Sequence, residues 1–291
     1  MESPSKNNRM RRRKAAKFFG GFYAALMYAV FYLPVAVMIA FSFNDAQRNY
    51  YWQGFTTSWY GKLFSFANTD LWDALVYSVV IAVLATAISV IIGVLGGIGL
   101  KKFEFRIKKI VNMMIYVPII VPEIVLAVSM LIIFMTIGVK LGMGTILIGH
   151  CTFCIPYAVV TIRGRITGDN ETLQEASMDL GANRFQTFWK VTVPSIMPGI
   201  MSAAFLSFTL SIDDVVMSNM LAGARQSTLP VLILSMNRTG VTPDANALTT
   251  VMIAVMVFAM LSVNAVQKRR QKREARLAAE AEKAISTAGS R

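Results

Sequence analysis

Charge is scarce in this chain of 291 residues: Asp, Glu, Lys and Arg make up 15% of it, against about 25% in soluble domains. Histidine is scarcer, with the single copy His150, and cysteine is limited to Cys151 and Cys154. One histidine excludes a His cluster for a metal and a metalloprotease helix with its two ligating histidines. A lone Cys-x-x-Cys at the start of an apolar run is weak ground for zinc or redox work, and buried thiols are the expectation. No Gly-x-x-x-x-Gly-Lys-Ser/Thr loop is present to cradle a nucleotide phosphate; Gly61-Lys62 stands without the rest. A Ser-His-Asp set is missing too. The chain reads as a non-enzyme with no catalytic residues, no metal site and no cofactor of its own.

What the chain has instead is apolar sequence. Hydrophobic residues make up 55%, and mean hydropathy is +0.53. Residues 74–100, 195–212 and 245–267 carry no charge at all. A bilayer core takes roughly 20 apolar residues in a helix, so these runs are long enough to span. The expected fold is all-α and polytopic, with six transmembrane helices near 19–43, 74–100, 110–137, 145–162, 197–221 and 245–266, the fourth being the shortest. That divides the chain into a basic N-terminal tail (1–18), a membrane domain (19–266) and a basic C-terminal tail (267–291). The first dozen residues are expected to be disordered.

Basic residues set the orientation. The N-terminus, the 101–109 and 163–194 loops and the C-terminus fall on one side and hold 24 of the 29 lysines and arginines. The positive-inside rule places that side, and both termini, in the cytoplasm. The net charge of +13 is thus topology and contact with anionic lipid head groups rather than a nucleic-acid footprint. The basic run Arg11 to Lys14 precedes an apolar stretch too long for a signal peptide, so it reads as the flank of a first anchor.

Two connections stand out. The outer loop 44–73 is rich in aromatics, including Tyr51, Trp52, Phe55, Trp59 and Tyr60. Such rings either form an interfacial belt or cover the outer mouth of a pathway. Trp59 is the candidate for a functional ring, since aromatic faces attract cations. On the other side, 163–194 is patterned like a helical hairpin. Asp169 or Asn170 can cap a helix, and Thr172 with Glu175 fits a capping box. Gly181 falls where a left-handed residue ends that helix. Asn183 can cap a second short helix, which Pro194 and Pro198 are expected to stop. The product is a compact knob suited to a cleft in another protein.

That loop resembles the signature of the membrane subunits of binding-protein-dependent ABC importers. The family pattern is Glu-Ala-Ala, three residues, Gly, nine residues, then Ile/Val-x-Leu-Pro. Here it reads Glu175-Ala176-Ser177-Met178-Asp179-Leu180-Gly181 and closes Val191-Thr192-Val193-Pro194, with Ser for the second Ala and Val for Leu. The likeness extends over roughly 20–266 and is similar to the second permease of the spermidine/putrescine importers. It runs through Trp52-Gln53-Gly54-Phe55-Thr56-Thr57-x-Trp59-Tyr60 and His150-x-Thr152-Phe153-Cys154-x-Pro156-Tyr157. It continues through Phe208 to Val216 and through Val241-x-Pro243-x-x-Asn246-Ala247-Leu248. The resemblance implies a pore shared with a sister permease, two copies of an ATPase subunit holding ATP and Mg, and an extracytoplasmic polyamine-binding protein. It also implies that 163–194 is the coupling helix loop docking into the ATPase.

Acidic residues inside a membrane are costly, about 2.5–3.5 kcal/mol each on insertion scales. Asp213 and Asp214 lie in the fifth span and Glu123 in the third. Counted from the cytoplasmic entry of each span at 1.5 Å per residue, they sit ~21 Å and ~20 Å deep. One acidic belt around a pathway fits that coincidence, and carboxylates at intervals can replace the water around an extended chain of protonated amines. Pro118 and Pro122 free backbone carbonyls beside Glu123, and Ser211 can add a hydroxyl. The other reading makes the acids partners of a broken helix or of basic groups on the sister subunit. Among alternatives, the same importer class acting on another cation keeps all these features. A stand-alone secondary transporter leaves the patterned loop without a use, and a membrane enzyme lacks a catalytic set.

Overall fold

The computed structural model describes residues 6–46, 51–65, 69–166, 168–223, 227–239, 242–258 and 261. Their regular structure is helical; the one bridge among them joins Asn44 to Phe55. In chain order the helices are α1 (Lys6–Phe41), α2 (Ser58–Phe64), α3 (Thr69–Lys102), α4 (Lys108–Ile120), α5 (Glu123–Thr136), α6 (Met143–Arg163), α7 (Gly168–Asp179), α8 (Arg184–Thr187), α9 (Val193–Ile212), α10 (Val216–Leu221), α11 (Leu229–Thr239) and α12 (Pro243–Phe258). They fall into two compact units, Met1–Ala67 with Gly240–Arg291, and Asn68–Thr239.

In the first unit, α1 starts at Lys6, so most of the tail expected to be disordered extends the helix. Beyond α1 the chain folds around Asn44, whose side chain is fully buried. Its amide donates to Tyr51 O at 2.8 Å, and its Oδ1 accepts the Gln53 N–H at 2.8 Å. Phe43 stacks on Phe55 and tilts against Tyr60. The aromatic loop is therefore partly a folded cluster of its own and not simply a belt. Residues 259–260 and 262–266 of the expected sixth span lie outside the described residues, as does the tail 267–291.

The second unit is built on α3, α6 and α9, which pack pairwise. Without water to drive apolar burial, membrane helices associate through close fit and small residues. A Cβ added to Gly93 of α3 would stand 2.8 Å from Ala158 Cβ of α6, and Gly96 and Gly97 face the same helix; Gly99 faces open space. Ala158, Ile162, Ile196 and Ala203 make the fully buried seam of this three-helix core. The expected fourth span, α6, is the most enclosed of the four span-length helices, with 56% of its apolar window buried.

Four of the expected spans have a helix long and apolar enough to cross a membrane: Phe19–Phe41, Asp70–Lys102, Met143–Arg163 and Arg184–Ile212. The third is instead a pair, α4 and α5, bent by 107°. Pro118 is accommodated inside α4, and the break falls at Val121-Pro122. Proline pushes the residue before it out of the helical region, and Val121 is extended at φ −70° and ψ 133°. The fifth expected span, 197–221, is also interrupted: α9 ends at Ile212 and α10 begins at Val216. The sixth, α12, is shorter than a span within the described residues.

Candidate functional site

The two interruptions meet. The α4–α5 break and the α9–α10 break line one cavity of about 490 Å³. The first contributes Pro118, Val121 and Glu123, the second Asp213, Asp214, Val215 and Val216, and α6 adds Phe153 and Tyr157. The three acids expected to share one height do converge, although the straight-helix count does not hold for a span bent by 107°.

The acids differ in their surroundings. Asp213 caps the end of α9 and is exposed to the cavity. Asp214 is buried, with 6% of its surface accessible. Its Oδ2 accepts the Ser218 N–H at 2.8 Å, and its Oδ1 accepts the Met217 N–H at 3.2 Å. A short polar side chain that captures nearby N–H groups in this way starts a new helix. Oδ2 also lies 3.0 Å from His150 Nε2. The Glu123 carboxyl is close enough to that of Asp214 to share a hydrogen bond. Two carboxyls so close repel unless a proton or a cation lies between them.

His150, set aside in the sequence as a lone histidine, is 1% exposed and has Ser211, Asp214 and Ser218 as partners. Ser211 is therefore not on the cavity wall: it is buried, and its hydroxyl lies 2.6 Å from His150 Nδ1. An ionisable side chain inside a span is a functional signal by default, and that signal was available here. Its partners lie 61 to 68 positions away, so sequence spacing did not show them. Cys151 and Cys154 are free, buried thiols.

Trp59 lies in the first unit. Its Nε1 donates to Asn44 O at 2.8 Å, and Lys62 Nζ stands over the ring 4.4 Å from its centre. The ring that was a candidate for an external cation thus has a cation of its own and pins the folded loop.

The 163–194 loop forms the expected hairpin with two differences. Helix α7 already begins at Gly168, so Thr172 lies within it and not at its cap. Gly181, at φ +89°, ends it; the Ala182 N–H reaches Ser177 O and the Gly181 N–H reaches Met178 O, the paired bonds of a Schellman turn. Asn183 and Gln186 cap α8 reciprocally. The second difference is that Pro194 does not stop this helix. The chain passes from α8 through a wide π turn at Phe188–Thr192 directly into α9. The Val193 N–H bonds to Phe188 O, five residues back, which opens room for a proline ring that lacks an N–H. Ser177 Oγ and Thr187 Oγ1, 3.2 Å apart, hold α7 against α8. Leu180, Phe185 and Trp189 are largely exposed on the hairpin, as are Glu175, Ala176 and Asp179. Lys102 Nζ at the end of α3 donates to Gln174 of α7 at 3.3 Å.

The family described as binding-protein-dependent transport system inner membrane component matches residues 89–276. The spermidine/putrescine transport system permease protein PotC of Haemophilus influenzae is 40% identical over 230 residues, covering 79% of this chain and 89% of that one. PotC of Escherichia coli K12 is 38% identical over 253 residues, covering 87% and 95%. The putrescine transport system permease protein PotI of E. coli K12 is 34% identical over 238 residues, covering 79% and 84%. Among solved structures, a bacterial ABC transporter that imports the acidic polysaccharide alginate superposes with a TM-score of 0.62 at 16% identity, covering 92% of this chain and 99% of that one. The MetNI methionine ABC transporter gives 0.53 at 17%, covering 69% and 94%. The fold is that of ABC importer permeases, and the chain belongs to the family of binding-protein-dependent transport system inner membrane components.

Proposed function

We propose that this chain is one of two membrane-spanning subunits of an ATP-driven polyamine importer. The observation that carries the substrate class is the cavity between the two helix breaks. Glu123 and Asp213 present carboxyl groups to it, and Phe153 and Tyr157 present aromatic surface. Carboxylates bind ammonium groups strongly in a dry site, and ring faces attract cations. An extended amine with apolar methylene stems satisfies both walls. The relatives named for spermidine and putrescine support the same class.

The rest of the machine is supported by family membership and by the hairpin. Its exposed Leu180, Phe185 and Trp189 suit a cleft in an ATPase subunit, with Gly181 and Pro194 shaping the turn and the helix beyond it. Two such subunits hydrolyse ATP with Mg, a sister permease supplies the other half of the pathway, and an extracytoplasmic binding protein delivers the polyamine. Both termini lie in the cytoplasm.

The test is ATP-dependent uptake of labelled spermidine into vesicles holding the complete complex. Wild-type uptake that falls in an intact Asp213→Asn complex is the expected result. A wild-type complex that hydrolyses ATP in response to its binding protein yet takes up neither spermidine nor putrescine would sink the polyamine reading and leave the importer class standing.

A further inference from the structure

His150 is 1% exposed and projects from α6, the most enclosed of the four span-length helices. Its contacts straddle the α9–α10 break. Ser211 precedes the break, Asp214 lies in it, and Ser218 follows it. With its proton on Nε2, the ring donates to Asp214 Oδ2 at 3.0 Å and accepts the Ser211 hydroxyl proton on Nδ1 at 2.6 Å; Ser218 Oγ lies 3.1 Å from Nε2. Its ring also packs 5.7 Å from that of Phe153, which lines the cavity.

We infer that His150 is a positioning residue for the cation site: it clamps both sides of the α9–α10 break, turns Asp214 inward, and so leaves Asp213 aimed into the cavity. This rests on the transport reading above but assigns a role to a residue outside the cavity wall. Without the imidazole, Asp214 Oδ2 retains the Ser218 amide alone. The carboxyl is then held by its own segment and by Glu123 alone, and the three residues between α9 and α10 lose their brace from α6. Asp213, with its side chain on those residues, loses its fixed direction. The clamp needs a donor where Nε2 stands and does not need a charge, so a glutamine amide at position 150 can replace it.

The experiment compares His150→Ala and His150→Gln with wild type in the complete reconstituted importer, with two readouts. One is spermidine taken up per ATP hydrolysed. The other is the rate at which a small cationic thiol reagent modifies Asp213→Cys, in a chain whose Cys151 and Cys154 are replaced by Ala. The expected loss of uptake per ATP in His150→Ala is about tenfold, the scale of one hydrogen bond to a charged group. The labelling rate changes with it, and His150→Gln restores both. A merely structural histidine predicts a different pattern: uptake and ATP hydrolysis fall together, their ratio holds, and labelling of the surviving complex is unchanged. That pattern, or failure of Gln to rescue an assembled complex, overturns the assignment. If wild type hydrolyses ATP but takes up no spermidine, the substrate reading has failed, and the labelling comparison still decides the role of His150.

Discussion

The α4–α5 break and the α9–α10 break line the same cavity, yet they arise by different chemistry. At the first, Pro122 withholds a backbone donor and forces Val121 out of the helix. At the second, Asp214 supplies an acceptor that competes for the Met217 and Ser218 donors. A break made by removing a bond needs no partner elsewhere. A break made by adding one leaves a buried carboxylate that must be compensated, and His150 on α6 does that. The first break is thus local, while the second is tied to a neighbouring helix.

The largest effect should come from cutting that tie. Asp214→Leu leaves the imidazole and two amides without their acceptor, and each buried donor left unsatisfied costs about 1–3 kcal/mol. We expect failure to recover a folded complex, read as a lost melting transition in detergent. Next is the seat of α10. A Cβ at Gly149 would stand 2.6 Å from Leu221 Cδ1, so Gly149→Val should push α10 off α6 and lower stability by about 1–3 kcal/mol. A melting midpoint equal to wild type would show that α10 is not held against α6. Third, Glu123→Gln should lower uptake by about tenfold, the scale of one hydrogen bond to a charged ammonium group, with the melting midpoint unchanged because the amide can still donate to Asp214. The smallest effect belongs to the proline break. Pro122→Ala should change stability by less than about 1 kcal/mol, measured as the same midpoint. A larger loss would mean that this break, too, depends on distant partners.

The same contrast explains what could be read in the sequence. Pro118 and Pro122 mark a broken helix locally, so the third span was expected to break near Glu123. The sharpness of the bend was not legible, because it depends on where each half packs. Asp213 and Asp214 stood out as acids in an apolar run, but not as a helix end. The capping bonds of Asp214 form to residues three and four positions on, a pattern that an uninterrupted apolar run also accommodates. The fourth span was read as the shortest, and its enclosure by α3 and α9, which allows the polar His150 there, was not legible. Trp59 was chosen for its ring, and Lys62, three positions on, already covers that ring. The turn of the hairpin was legible, because Gly181 and Asn183 act on their own neighbours, whereas its start at Gly168 and its continuation past Pro194 were not.

One feature of that hairpin reaches beyond it. From Arg184 to Ile212 the helix is a single 29-residue rod, about 43 Å long at 1.5 Å per residue. Its near end carries Phe185 and Trp189, and its far end carries Asp213. Such a continuous rod acts as a lever: a tilt of about 10° near Arg184 displaces the far end by about 7 Å over that length. The π turn at Phe188–Thr192 sits close to the near end, where a change of angle is magnified most by the arm beyond it.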